Sequence, residues 1–181
     1  MACLPWTELA ERLARLEGES AMRRCLSDYM EICDRLDETT DLAALGALFT
    51  ENAIWEGRGS RYAKDFGRRH GRSEIVSWLA SYCGTPPHFR SNAHFLASEA
   101  IAFLPEERAQ GRWMMLQTPE FHDGQSFLMT ACLTIDFAVE AGRWRMAHFR
   151  TTNLYARRVS HWNEAVDLPV PTKLQHPEVR T

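Results

Sequence analysis

The sequence predicts an α+β fold, in which three helices pack on one face of a strongly curved, mostly antiparallel sheet. Apolar residues recur at helical spacing through the first half of the chain. After Pro87 the chain changes to long strand-like segments, which are joined by short connections rich in turn residues. Helices first and strands afterwards is the order typical of an α+β protein rather than of an alternating α/β sheet.

Three helices are predicted before Pro87. The first covers residues 19–37, where Met22, Leu26 and Tyr29 belong to one apolar face. The stretch before it, "WTELAERLARLEG", repeats leucine at helical spacing, and Gly18 is expected to break the helix between the two. The other two helices are expected within "DLAALGALFT" and "GRSEIVSWLASYCG".

Four long strands are predicted after the helices, and they are expected to form a meander of hairpins. The connections "PEER", "HDGQ" and "EAGR" supply the turns between them. A shorter fifth strand, "NAIWEG", lies before the third helix. The four long strands are expected at residues 92–103, 110–121, 126–139 and 143–155.

The 181 residues predict one domain over residues 1–181, with a core at about 19–162 and a Pro-rich tail at 163–181. A net charge of −3 and the lack of a basic stripe argue against a nucleic-acid partner. No apolar run is long enough to span a membrane, and no secretory signal is visible at the N-terminus. The five cysteines include no CxxC pair, which indicates that they are reduced, so a cytoplasmic location is expected.

Candidate polar residues lie where helix and strand are expected to meet. His88 opens a strand in "TPPHFRSNAHFL", and Asp34 lies on the flank of the helix face that carries Tyr29. A carboxylate in that position needs a partner or a solvated cavity, although a solvated residue near the helix end is the simpler interpretation. On one continuous strand His88 and His94 would be roughly 20 Å apart. A shared metal is therefore rejected, and no cofactor motif occurs.

Three stretches resemble the SnoaL-like family of the nuclear-transport-factor-two-like superfamily. They are "YMEICD" followed by "LGALFTENAIWEG", then "HFRSN", and finally "GRWRMAHFRTTNLY". The resemblance implies a cone-shaped α+β barrel around a small-molecule cavity. It also implies an assembly of identical subunits, with a homotrimer expected first and a dimer second.

The dehydrating and dehydrohalogenating members of this family imply a cofactor-independent lyase with an Asp–His dyad. Matching their motifs makes His88 the base, Asp34 its partner and Tyr29 a third catalytic residue, with Asp37 as a rival carboxylate. The substrate would be a hydrophobic cyclic molecule from which a proton is removed beside, or conjugated with, a carbonyl. Substrate-binding candidates are Trp55, Asn92, Trp113, Arg150 and Asn153.

Two alternatives use the same fold. One is an isomerase or polyketide cyclase, which needs the same base but no leaving group. The other is a non-catalytic subunit that binds a small molecule or supports an assembly. An Asp–His hydrogen bond beside an open cavity would favour an enzyme, whereas a filled cone would favour a subunit.

Overall fold

The computed structural model describes residues 5–162, so the predicted tail at 163–181 lies outside the described residues. Helices pack on one curved, unclosed mixed sheet, which confirms the predicted α+β cone. The elements of this part of the chain are α1 (Trp6–Asp34), α2 (Leu42–Ala47), β1 (Phe49–Arg58), α3 (Gly59–Asp65), β2 (Arg68–His70), α4 (Arg72–Ala80), β3 (Phe89–Ser91), β4 (His94–Leu104), β5 (Arg108–Gln117), β6 (Glu120–Phe121), β7 (Ser126–Glu140) and β8 (Arg143–Val159).

The long strands follow the predicted meander. Neighbours run in the order β2-β1-β8-β7-β5-β4, while the short β6 pairs with both β3 and β7. Every pairing is antiparallel except that of β1 with β8, which is parallel. The sheet is therefore mixed, and α1 packs across it against β8 and β4.

Helix α1 runs without interruption from Trp6 to Asp34, so the predicted break at Gly18 is wrong. Gly18 is buried where the helix approaches the sheet. A Cβ at this position would lie 3.1 Å from the ring of Phe103 and 3.1 Å from the indole nitrogen of Trp144. The glycine therefore permits close packing and does not end the helix. Helix α3, within the stretch after β1, was not predicted.

The strand expected to open at His88 and the strand predicted at 110–121 are each divided in the structure. The chain forms β3 on β6, leaves the ladder at Asn92 and Ala93, and then starts β4 at His94. Likewise β5 ends at Gln117, and β6 begins only after Pro119, which has no amide hydrogen for the ladder. His88 and His94 are therefore not on one extended strand, and the 20 Å separation expected between them does not apply.

The core fills the space between α1 and the inner face of the sheet. Met22 and Leu26 on α1 are fully buried, as are Leu133 and Ile135 on β7 and Met146 on β8. Among the tryptophans, Trp55 and Trp113 are 5% and 3% exposed, and Trp144 is partly buried. Within residues 5–162, none of the helices combines the length and the apolarity that crossing a membrane requires.

Candidate functional site

A cavity of about 280 Å³ lies between the end of α1, helix α4 and the inner face of the sheet. Most of its wall is aromatic or aliphatic, which suits an apolar ligand. The polar groups on the wall are few, and they include His88, His94, Gln117 and the phenol of Tyr29. Large aromatic side chains on the wall are Trp55, Trp78, Tyr82, Phe89, Phe121 and Phe149.

Asp34 and His94 form a hydrogen-bonded pair at this cavity. Asp34 is the last residue of α1, and His94 is the first residue of β4. Oδ1 of Asp34 lies 2.6 Å from Nδ1 of His94, and Oδ2 accepts the backbone N–H of His94 at 3.2 Å. The pair is well shielded, with side chains 23% and 10% exposed. The carboxylate thus holds both the backbone and the ring of His94.

A second pair of side chains orients the carboxylate. The amide of Asn92 donates to Oδ1 of Asp34 at 3.1 Å and to the carbonyl oxygen of Cys33 at 3.5 Å. Gln117, on the cavity wall, donates in turn to Oδ1 of Asn92 at 3.0 Å. Asn92 was predicted to bind substrate, but its place is behind the carboxylate, where it restricts how Asp34 can turn.

The Asp34 contact determines which nitrogen of His94 carries the proton. A carboxylate accepts hydrogen bonds, so Nδ1 of His94 donates to it and Nε2 keeps a free lone pair. His94 lines the cavity, whereas Asp34 reaches the cavity only through His94. The arrangement provides an imidazole of defined tautomer at an apolar wall, which is a competent general base.

The predicted pairing of Asp34 with His88 is wrong. His88 does line the cavity, but its ring packs edge-to-face on Tyr82, Phe89 and Phe121, with centroids 4.7–5.1 Å apart. Burial lowers the pKa of His88, and no carboxylate bonds its ring among the described residues. The prediction matched the wrong histidine because it treated residues 88–94 as one strand, when the chain turns between β3 and β4.

Tyr29 lies on the cavity wall with its hydroxyl in a short hydrogen-bonded chain. Its Oη accepts the indole N–H of Trp55 at 2.9 Å, and the thiol of Cys33 is close enough to influence its pKa. Burial raises the pKa of Tyr29 well above its ordinary value and that of the Cys33 thiol to about 12. Both groups therefore remain protonated at neutral pH, and Tyr29 can act as a neutral hydrogen-bond donor.

The rival carboxylate, Asp37, stabilises a turn and does not reach the cavity. Its Oδ1 accepts the backbone N–H of Thr39 at 2.8 Å and the hydroxyl of Thr39 at 2.7 Å. These hydrogen bonds lower the pKa of Asp37. The structure therefore brings Asp34, not Asp37, to a histidine.

Three predicted substrate contacts lie away from the cavity. Arg150 is between Phe149 and Thr151, which face the cavity, so alternation along β8 directs it to the outer face, where it pairs with Asp136. Asn153 donates to the carbonyl of Thr130 at 3.2 Å, at a bulge between β7 and β8.

Trp113 is the third of these residues, and Trp55 is the exception among the predicted contacts. Trp113 faces inward like Met115 and Gln117, but it lies deeper in the core and donates to Glu99 at 3.2 Å. Trp55 does line the cavity, where its ring stacks on Phe149 at 5.5 Å.

Gln117 and His94 were not proposed as site residues. Gln117 could have been found from the strand pattern, because it shares the inward-facing positions of Trp113 and Met115 on β5. His94 could not be separated from a core histidine without the turn before β4. Residues 5–162 contain no group of three or more His, Cys, Asp or Glu side chains arranged to hold a metal ion.

The fold and the cavity define a class of α+β cone proteins that enclose small molecules. The chain matches the SnoaL-like domain family over residues 14–150 and therefore belongs to that family. A comparison with curated protein sequences finds no match.

Several solved structures have the same fold. A hexachlorocyclohexane dehydrochlorinase (LinA) type 2 has a TM-score of 0.70 at 18% identity, covering 85% of this chain and 98% of its own. LinA-type3 from Novosphingobium barchaimii LL02 has a TM-score of 0.69 at 17% identity, covering 84% and 99%. A provisionally named scytalone dehydratase from Novosphingobium aromaticivorans has a TM-score of 0.65 at 17% identity, covering 88% and 97%. At these identities the likeness shows the fold alone.

Proposed function

We propose that the protein is a cofactor-independent lyase that acts on a hydrophobic cyclic small molecule. The observation that carries this proposal is the hydrogen bond between Asp34 and His94 at the wall of an otherwise apolar cavity. The family and its structural neighbours, which include dehydrochlorinases, make lyase-type chemistry the natural first choice.

The proposed step is an elimination with His94 as the base. Nε2 of His94 takes a proton from a carbon of the substrate. That carbon lies next to a carbonyl or is conjugated with one, or it is the neighbour of the carbon that bears the leaving group. The electron pair of the broken C–H bond forms the double bond, and the leaving group departs with the electron pair of its own bond. Halide leaves as such, whereas a departing hydroxide takes the proton from the His94 imidazolium and leaves as water. Asp34 stabilises the imidazolium that results. A positioned base of this kind contributes roughly 10²–10⁴-fold in rate.

Two further groups on the wall complete the proposal. Tyr29 donates its hydroxyl proton in a hydrogen bond to the departing group or to a carbonyl oxygen, and its raised pKa keeps that proton in place. His88 shapes the pocket beside Tyr82 and Phe121 and contacts the substrate, but it has no carboxylate to orient it among the described residues. The apolar wall excludes water, which strengthens both interactions.

The experiment is a comparison of three variants on two probe substrates. Hexachlorocyclohexane, followed by chloride release, and scytalone, followed by its change in absorbance, represent the chemistry named for the neighbours. We expect His94→Gln and Asp34→Asn each to lose at least about 10²-fold in kcat. His88→Gln should change KM more than kcat. Full turnover by His94→Gln, with the fold intact by circular dichroism, would refute the assignment of the base.

An isomerase or cyclase would use the same base without a leaving group. Exchange of a substrate proton in D₂O, with no release of chloride or water, would identify that reaction. The open cavity supports a ligand-handling protein over a pure assembly subunit, because a subunit without a ligand has no need of an oriented histidine beside empty space.

A homotrimer in the cytoplasm remains part of the proposal. The outer face of the sheet exposes Phe95, Met114 and Leu116, and Phe95 pairs directly with Leu116 across β4 and β5. An apolar patch of this kind is typical of a subunit contact. Light scattering at micromolar concentration measures the number of chains, and a monomer would contradict the proposal.

A further inference from the structure

The first three turns of α1 project from the rest of the protein. Every residue from position 6 to position 17 is exposed, and the helix becomes buried against the sheet from Gly18 onward, after the guanidinium of Arg15 contacts the ring of Phe103 at 5.2 Å. The large apolar side chains in this segment are Trp6, Leu9, Leu13 and Leu16, which are 85%, 46%, 54% and 63% exposed. An isolated helix of this length is marginal in water, so a face this apolar indicates a partner.

The apolar face points away from the chain's own sheet. Nine residues make two and a half helical turns, so residues nine apart lie on opposite sides of the helix. Leu9 is therefore opposite Gly18, and Leu13 is opposite Met22, both of which are buried against the sheet. Residues 18–162 therefore do not cover this face unless the helix turns over.

The spacing of the four residues is that of a coiled-coil seam. Positions 6, 9, 13 and 16 are separated by three, four and three residues, which places them at alternating a and d positions of a heptad. Three of them, Trp6, Leu9 and Leu13, precede the segment that matches the SnoaL-like family. We propose that this face, the α1 zipper of Trp6, Leu9, Leu13 and Leu16, binds the same face of a second copy of the chain in parallel.

The flanking charges fit a parallel pair of identical helices. Arg12 occupies a g position, and the residue five places on, Glu17, occupies the following e position. In a parallel pair, g of one helix meets this e of the other, so Arg12 meets Glu17 of the second copy. The buried side of each α1 lies opposite the zipper, so the two bodies sit on the outside of the pair.

A lipid surface fits this face less well than a second copy does. Residues 6–17 contain three acidic side chains (Glu8, Glu11 and Glu17) against two arginines, which gives a net charge of −1. Helices that lie on anionic membranes carry an excess of Lys and Arg on their polar face instead.

The mass of the full chain in solution tests the proposal. We expect wild type to have twice the mass of the Leu9→Glu/Leu13→Glu double variant, whether or not the sheet face also assembles subunits. The matched control is Ala14→Glu, which adds a charge at an exposed position outside the seam and should keep the wild-type mass. Equal masses for wild type and the double variant would overturn the proposal, as would zipper-dependent binding to phosphatidylglycerol vesicles without any halving of mass.

Charge reversal tests the parallel register without inserting charges into the seam. Arg12→Glu should weaken pairing by about tenfold, because two attractive contacts per pair become repulsive. Adding Glu17→Arg should restore the wild-type midpoint of association. Failure of the second change to rescue the first would exclude this register. Catalytic activity does not enter either measurement, so the outcome is independent of the proposed reaction.

Discussion

Two buried threonines provide a sharp test of how the cavity is used. Among residues 5–162, the hydroxyls of Thr130 and Thr151 are the buried side-chain oxygens without a hydrogen-bond partner. Both residues lie in the sheet and are 9% and 4% exposed. Thr151 also lines the cavity, whereas Thr130 does not. We expect Thr151→Val to make the free protein more stable and its binding of substrate weaker.

The magnitudes follow from the unpaired hydroxyl. An unsatisfied buried polar group costs about 1–3 kcal/mol, and valine has nearly the same shape as threonine without that group. We take about 1 kcal/mol as the gain for each variant, which corresponds to a rise in Tm of about 2–4 °C for a chain of this size. We expect rotation about χ1 to let the Thr151 hydroxyl donate to an oxygen of a bound ligand. Losing that hydrogen bond should weaken binding about fivefold.

Thermal unfolding and substrate titration of the two variants separate the effects. Thr130→Val should show the same rise in Tm with unchanged affinity, because its side chain is remote from the ligand. A fall in Tm for Thr151→Val would show that the hydroxyl is already satisfied. Equal affinity in Thr151→Val and wild type would show that the substrate does not use this wall.

Three further predictions concern the site and the helix beneath it. Asp34→Asn should lose at least about 10²-fold in kcat through the wrong tautomer of His94, while Asp37→Asn keeps activity and loses only turn stability; the reverse result in a steady-state assay would mean that the wrong carboxylate has been assigned. Burial lowers the pKa of His88 in the folded protein below 6.5, the value of an exposed imidazole. The unfolded chain therefore takes up a proton at a higher pH than the folded protein does. Folding stability is fully present above pH 6.5 and is lost as the pH falls through the folded pKa. In urea unfolding, His88→Gln should therefore lose less stability than wild type between pH 7.5 and pH 5, and parallel losses would contradict this. Gly18→Ala should lower stability by about 1 kcal/mol, because the added Cβ meets two aromatic rings at 3.1 Å; an increase in Tm would show that these rings yield easily.

The elements with strong periodicity could be predicted, and those made by chain turns could not. The hairpins of β4, β5, β7 and β8 follow from alternation and turn residues, which act locally. Tyr29 and Asp34 were placed correctly on α1 because their positions depend on helical spacing alone. The choice between His88 and His94 depends on where a strand begins, and strand boundaries reflect tertiary pairing with β6 rather than local preference.

The faces of residues in the middle of β8 were also difficult to predict. Arg150 was expected at the cavity, but a shift of one residue in a strand reverses the face, and Thr151 takes the inward position instead. Gly18 shows a second limit of prediction from sequence. A glycine in a helical pattern resembles a break, and only the neighbouring Phe103 and Trp144 reveal that it allows close contact.

The unbroken course of α1 has a mechanical consequence. Asp34 is the last residue of α1. It lies 16 residues, or about 24 Å, beyond Gly18, which is the first residue of the helix to be buried against the sheet. A tilt of about 2° around that support would displace the carboxylate by about 0.8 Å, which exceeds the roughly 0.5 Å within which a catalytic group must be held. The buried residues of α1 between Met22 and Cys33 oppose such a tilt, so the packing of this whole stretch against the sheet keeps Asp34 within hydrogen-bond distance of His94.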